Sequence, residues 1–427
     1  MEITAAQPAY DIAIIGAGMV GASFALSLIR RQAQAQQTAG AHGQKKPLKI
    51  LLIESRAIDS GSGETADFDA RSTALAYGSK RVFADLGLWP ALAGHAGRIE
   101  RIHVSDRGHF GASRLAASDM GVEALGYVLE NHKLGSVLNQ AVLAEPGIDL
   151  LSSAQVQALQ PLQQGMRMEL VVAGQAQQPV SAALVVMADG GKSGLAASLG
   201  IQVSSKDYQQ SALIANVALA RPHQGVAYER FTDTGPLALL PLADYAEQPR
   251  VALVWTLQAD AAAATAAMAE DEFLAQLQQR FGQRLGRFTQ VGQRIAFPLK
   301  LQVTGEQVRP GLVLLGNSAH TLHPVAGQGL NLALRDAVVL ADKILAARQE
   351  GVSPGAMSLL QDYQHARAQD QRNTILLSDQ LIALFSNGSI GKSLLRKAGL
   401  LAIDLLPPLK AEFTRHAMGL AASGAKG

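Results

Sequence analysis

The chain has 427 residues, 48% of them hydrophobic, which suits two or three packed domains or one elaborated core and argues against disorder. Lys and Arg number 37 against 35 Asp and Glu, so the net charge of +2 creates no field strong enough to argue for nucleic acid, and a small or apolar partner is expected. With no cysteine, disulfides, cysteine-based zinc sites and thiol relays are excluded, and redox work would need a bound cofactor.

The opening MEITAAQPAYDIAIIGAG has only a short apolar run before its glycines, so it reads as neither a signal peptide nor a membrane span. No other stretch reads as long and apolar enough to span a bilayer. A cytoplasmic protein is expected, and a place peripheral to the inner membrane stays open to it. Residues 11–15 (DIAII) have the pattern of a buried strand, followed by Gly16-Ala17-Gly18-Met19-Val20-Gly21 and an apolar helix-like run to Leu28. Residues 30–47, rich in Gln and Ala, read as a helix end and an exposed surface insertion. A second buried strand over 48–53 ends at Glu54. Two more cover 183–187, before Asp189-Gly190, and 312–315, before GNSAHTLHPVAGQGLNLALRD.

Between 213 and 257 the texture changes. LIANVAL, AYERF, LALLPL and VALVWTL are separated by turn-forming residues and predict an antiparallel sheet inserted into the first domain. Residues 271–281 predict an amphipathic helix, and from Pro354 onward the pattern is helical, over 359–385 and 393–406, broken at Pro407-Pro408. The expected fold is α/β, or α+β overall. A Rossmann-like dinucleotide-binding domain (8–85, 122–202 and 309–350) carries an inserted antiparallel sheet domain (86–121 and 203–308), with a C-terminal helical region (351–427).

A GxGxxG motif alone is a weak signal, but here a strand precedes it, a helix follows it and an acid ends the next strand. Gly16 permits the tight turn, Gly18 lets the backbone approach a pyrophosphate, and Gly21 lets the helix pack closely. Glu54 would bond a ribose hydroxyl. It stands further along the chain than the usual spacing of about 20 residues, and the 30–47 insertion accounts for the excess. Two later strand exits rich in glycine and polar residues suit a long cofactor with contacts beyond its pyrophosphate, which favours FAD over a nicotinamide dinucleotide.

GAGMVG (16–21), MADGGKS (187–193) and GNSAHTLHPVAGQGLN (316–331) together resemble the single-component flavoprotein aromatic hydroxylases. FDARSTALAYGS (68–79), VSDRGHFG (104–111), LIANVA (213–218), YERFTDTGPLALLPL (228–242) and RLGRFTQVGQRIAFPL (284–299) resemble one branch, the 2-polyprenyl-6-methoxyphenol hydroxylases of ubiquinone biosynthesis. The resemblance spans most of the chain. It implies an FAD monooxygenase that uses NAD(P)H and O2 and hydroxylates the ring through a flavin C4a-hydroperoxide. A sister hydroxylase acting at another ring position, and a non-catalytic flavin- and lipid-binding assembly subunit, are the alternatives.

The resemblance also implies roles for individual residues. Asp189 and Gly190 would bind the flavin and affect nicotinamide binding. Lys192, Ser193 and Gly194 replace an arginine that follows this pair in many relatives. Asn317 stands where the family usually has an acid on the ribityl chain, and a neutral amide can still bond a hydroxyl. Gly327, Gly329 and Asn331 belong to a loop at a helix N-terminus whose amides would face the flavin ring. Arg71 would reach pyrophosphate or flavin carbonyls, and Asn131 falls where relatives contact the cofactor.

Pro324 would lie over the ring and His323 beside it as candidate catalytic residues, although His320 and His323 read first as neutral histidines satisfied within the loop. Phe231, Leu239, Pro241 and Trp255 would line a trench for a polyprenyl phenol, with an ordinary sheet core as the competing reading. No metal-ligand spacing is present, so no metal is expected. The stretch 394–420 mixes apolar and basic residues and would touch a membrane or a ubiquinone-biosynthesis complex, with packing against the domain the stronger reading.

Overall fold

Strands Tyr10–Ile15, Ile50–Ile53 and Val180–Met187 are apolar almost without alternation because both faces of their sheet are covered. The computed structural model describes residues 8–39, 46–58, 71–106, 112–232, 234–322, 327–385 and 407–420. In its first sheet, Leu312–Leu314, Val180–Met187, Tyr10–Ile15, Ile50–Ile53 and Ile148–Leu151 run parallel in that spatial order. Helices Met19–Ala39, Asn131–Leu143 and Gln328–Gln349 cover one face. There Phe24, Leu138 and Leu340 pack on Ile12, Ile14 and Leu184. The antiparallel strands Ala154–Pro161 and Met166–Val172 close the other face, with Met168 and Leu170 against Ile53 and Val185.

The predicted change of texture corresponds to a second sheet. Its strands are, in spatial order, His320–Thr321, Ile295–Thr304, Val203–Leu219, Arg250–Gln258, Gly235–Pro241, Val226–Thr232, Arg101–Asp106 and Ala112–Ala116. Pairing along this path is antiparallel except between Val226–Thr232 and Arg101–Asp106, which run parallel. Helix Glu270–Phe281, one residue longer than predicted, buries Phe273, Leu277 and Phe281 against one face of this sheet. The strands Ser72–Ala76, Gly126–Glu130 and Gly97–Ile99 form a third, small sheet.

The first helix runs past its apolar stretch and ends at Ala39, within the 30–47 segment read as its end, because Ala, Gln and Arg are good helix formers even where the face is exposed. One local expectation needs correction. Pro407-Pro408 opens a helix, Pro407–Ala417, since a proline in the first turn forfeits no intrahelical hydrogen bond. Just beyond it, Met418 is buried with Leu115 and Leu125, and its carbonyl accepts from Gly78 N–H at 2.8 Å. The predicted helix over 393–406 lies outside the described residues. Among the described residues, no helix is long and apolar enough to cross a membrane.

Candidate active site

The glycine turn lies at the carboxyl end of Tyr10–Ile15, where an open parallel sheet presents its binding crevice. Gly16 has φ +101°, and a β-carbon there would meet Ala188 O at 2.6 Å. One at Gly21 would meet Gly16 O at 1.9 Å, so helix and turn touch as closely as only glycine permits. Gly18 has no protein atom within 4 Å of such a carbon; it borders an open cavity of about 950 Å³. Glu54 lines the same cavity. Its Oε2 accepts from Ala17 N–H at 2.9 Å, while Oε1 takes Arg56 N–H at 3.0 Å and Ser55 Oγ at 3.1 Å. Glu54 thus holds the turn as well as presenting a carboxylate to the cavity.

Asp189 and Gly190 also line this cavity, on the other side of the Gly16 turn from Glu54. The Asp189 carboxylate accepts from Ser318 Oγ at 2.7 Å, Ser193 N–H at 2.9 Å and Gly191 N–H at 3.2 Å. Burial opposes its ionisation, but the bonds from Ser193, Ser318 and the Gly191 N–H outweigh that and hold the carboxyl below its ordinary value. The bond from Ser318 ties the second motif to the third, a role the sequence reading missed. Asn317, next to Ser318 in a short 3-10 turn, is exposed to the cavity.

Gly327 takes φ +60° as the N-cap of Gln328–Gln349. The positive end of that helix and the open side of Gly329, with no atom within 4 Å, face the same space. Asn331, by contrast, has its amide engaged by protein. Nδ2 donates to Ala74 O at 2.9 Å and Gly327 O at 2.6 Å, and Oδ1 accepts from Ala76 N–H at 2.8 Å and Ser79 Oγ at 2.7 Å. It fastens the glycine loop to the strand Ser72–Ala76, so it positions the loop from behind.

Arg71 also lines the large cavity, 5.9 Å from the Phe297 ring centre. Asn131 stands behind it: its N–H donates to Arg71 O at 2.7 Å and its Oδ1 accepts from Thr73 at 2.6 Å, and the side chain is not among the cavity-lining groups. His320 is buried, with Nδ1 3.1 Å from Gly316 O and Nε2 within ion-pair range of Asp336 Oδ2 at 3.4 Å, and it is held inside the protein rather than presented to the cavity. His323 and Pro324 lie outside the described residues.

A second cavity of about 370 Å³ adjoins the first, and Asn317, Gly329 and Leu330 line both. The inserted sheet floors it with Ile214, Ala227, Glu229, Ala238, Leu240 and Val254. Here the trench proposed from the sequence needs correction. Leu239 and Trp255 point through the sheet into the core beneath Glu270–Phe281, and the alternating neighbours Ala238, Leu240, Val254 and Thr256 face the cavity. Pro241 and Phe231 are both absent from the lining, and Phe231 is buried further along its strand. A strict period of two shows which residues share a face but not which face the helix will cover.

The polar lining, backbone amides and the open positions at Gly18 and Gly329 in the larger cavity fit a dinucleotide, whose diphosphate would meet the Gly16–Gly21 turn. The smaller, mostly apolar cavity that adjoins it fits a ring. Among the described residues, no cluster of His, Cys, Asp and Glu could hold a metal ion.

The chain matches the FAD binding domain family over residues 9–376. Ubiquinone hydroxylase UbiL of Rhodospirillum rubrum is 35% identical over 416 residues, covering 96% of this chain and 89% of that protein. The 3-demethoxyubiquinol 3-hydroxylase of Escherichia coli is 30% identical over 414 residues, covering 96% of this chain and 98% of that protein. Among solved structures, p-nitrophenol 4-monooxygenase PnpA from Pseudomonas putida is similar at TM-score 0.74 and 16% identity, over 97% of this chain and 98% of that one. Pseudomonas aeruginosa PqsL in complex with 2-aminobenzoylacetate follows at TM-score 0.72 and 20% identity, over 92% and 99%. These two likenesses establish the shared fold. The chain belongs to the FAD-binding-domain family of flavin-dependent aromatic-ring monooxygenases, and FAD is its cofactor.

Proposed function

We propose that the chain hydroxylates the aromatic ring of a polyprenylated methoxyphenol in ubiquinone biosynthesis, with NAD(P)H as reductant and O2 as co-substrate. The observation that carries this reading is the junction of the two cavities at Asn317, Gly329 and Leu330, which would set a ring against the cofactor. The names of the relatives in Rhodospirillum rubrum and Escherichia coli supply the pathway.

Bound FAD, once reduced, supplies oxygen activation. The protein's own groups hold and orient. Gly16, Gly18 and Gly21 admit the diphosphate, Glu54 bonds the ribose, and Asp189, Gly190 and Asn317 bond the polar chain. The amide end of Gln328–Gln349 stabilises negative charge on the flavin ring. Arg71 supplies a further cation at the polar wall, and the aliphatic sheet face keeps water from the ring. The cofactor domain is assigned to 8–85, 122–202 and 309–350, the substrate domain to 86–121 and 203–308. The lipid tail implies peripheral contact with a membrane or with other ubiquinone-pathway proteins.

The differing names of the two relatives favour a second reading with the same chemistry at another ring position. Deleting the gene in its host and identifying the accumulated lipid by mass spectrometry separates them. A methoxyphenol lacking one ring hydroxyl, not rescued by Gly18→Val, supports the first reading. A different hydroxyl-deficient intermediate supports the second, and unchanged quinone sinks both.

A further inference from the structure

One ionisable side chain on the sheet floor of the smaller cavity has no role in holding the cofactor. Glu229 lies on Val226–Thr232 between Val104 and Ala238, its register partners on the flanking strands. Ala238 shares its face and also lines the cavity. Around it the sheet offers Ile214, Leu240 and Val254, and from the opposite wall come Ser72, Leu322 and Gln328, none of them charged. No hydrogen bond or ion pair to Glu229 is present among the described residues. A carboxyl held without a partner on a mostly aliphatic sheet face, with no other charged group in the cavity lining, is costly to keep, and such groups concentrate where a ligand completes them.

We propose that Glu229 receives the hydroxyl of a phenolic ring substrate and accepts its proton as the ring is hydroxylated. The proposal rests on the functional reading above only in taking the substrate to be a phenol. The phenolic hydrogen lies between the ring oxygen and a Glu229 carboxylate oxygen. On transfer the O–H electron pair stays on the ring oxygen and the proton moves to the carboxylate, returning when the product hydroxyl forms. The electron-rich ring that results is the form open to attack by an electrophilic oxygen.

The charged surroundings leave this role to Glu229. On its own strand, Tyr228 borders the cavity but its ring stacks on Phe281 and His103 on the other face, where Arg230 donates to Phe281 O. On the neighbouring strand Asp106 shares the cavity side but sits two residues further along, beside Phe231. Arg98 and Glu100, near the third sheet, are exposed. Glu130 is paired with Arg250, Asp336 with Arg367, and Arg71 faces the larger cavity. Burial alone lifts the Glu229 carboxyl to about 7. It therefore changes charge near neutral pH, as a reversible proton acceptor requires.

The test uses FAD-loaded protein and two small probes, 2-methoxyphenol and its methyl ether 1,2-dimethoxybenzene, with binding read from the flavin absorbance between pH 5.5 and 8.5. Wild type is expected to favour the phenol by about tenfold or more, the size of a hydrogen bond to a charged group, and the preference should grow as pH rises through about 7. Glu229→Leu should abolish the preference, and the nearly isosteric Glu229→Gln should keep a smaller one that is flat with pH. Full, pH-dependent preference in either variant overturns the proposal, as does failure of wild type to bind the phenol. If a polyprenylated methoxyphenol binds no better than 2-methoxyphenol while the Glu229 effects persist, the lipid substrate is wrong and the role of Glu229 stands.

Discussion

Arg367 Nε donates to Asp336 Oδ1 at 2.5 Å with both side chains buried, and this bond couples helix Met357–Phe385 to the helix whose first turn faces the cofactor cavity. Asp336 Oδ2 also accepts from Gln371 at 3.0 Å, and Arg367 further contacts Asp370, which Arg335 holds at 2.8 Å. Removing one partner leaves a charge buried without compensation. Arg367→Met is expected to cost about 3–5 kcal/mol, read from urea midpoints, and to weaken FAD retention because Gln328–Gln349 loses its brace. An unchanged midpoint would show that the pair is not a structural tie.

Acid should act on the same cluster. Burial favours the neutral form of Asp336, but its bond with His320 and the charge of Arg367 outweigh this and depress its carboxyl; Asp370 is depressed likewise against burial by Arg335 and Arg367. A depressed native value means these groups stabilise the fold fully above the ordinary carboxylate range of about 4, and that this is lost as pH falls through the native values. Glu229 has the opposite sign: its raised value makes the folded state lose stability as pH rises from about 4 towards about 7. Urea midpoints should therefore fall below about pH 4, and Glu229→Gln should gain on wild type between pH 5 and 8. A constant gap across that range would mean that Glu229 is not held neutral by burial.

Two glycines of one motif should fail differently. A β-carbon at Gly18 meets no protein atom within 4 Å and would project into the cavity proposed for the cofactor, so in Gly18→Val the fold should survive while the yellow colour is lost. Gly21→Ala would drive a methyl to 1.9 Å from Gly16 O, so the fold itself should suffer. Far-ultraviolet circular dichroism alongside the FAD content of purified protein separates the two. A Gly18→Val protein with stoichiometric FAD would refute the placement of the diphosphate.

The two faces of the inserted sheet can be told apart by paired substitutions. Trp255→Ala empties a fully buried site under the helix Glu270–Phe281 and should cost about 3–5 kcal/mol. Leu240→Trp adds bulk on the cavity face and should lower affinity for aromatic ligands about tenfold or more, taking a displaced ring as worth at least 1.4 kcal/mol, while FAD stays bound. If Trp255→Ala lowered ligand affinity with unchanged stability, the facing of the sheet would be reversed.

Much of the cofactor wall was legible in the sequence because its requirements are local. The glycines of 16–21, the acid after the next strand, Asp189-Gly190 and the loop before Gln328 each stand where a strand ends, and a strand end can be read from a short apolar run. The substrate wall was not legible in this way. LALLPL and VALVWTL show alternation, but whether Trp255 or Val254 meets the ring depends on which face Glu270–Phe281 covers, a contact between distant segments. Glu229 was passed over for the same reason: a single acid in a strand reads as solvated until the sheet closes over it. Asn131 and Asn331 fell at the right places in the chain, but their hydrogen bonds to Thr73, Ala74 and Ser79 emerge only once the third sheet is folded.

Asn317, Gly329 and Leu330 bound both cavities. A change there alters the seat of the cofactor and the reach of the ring together, so substrate preference cannot be retuned on that side without disturbing the flavin. Ile214, Ala238, Leu240 and Val254 border the ring cavity alone, on strands braced from behind by their own core. Selection for a new phenol, natural or in the laboratory, therefore has one wall free to vary and one it must leave as it is.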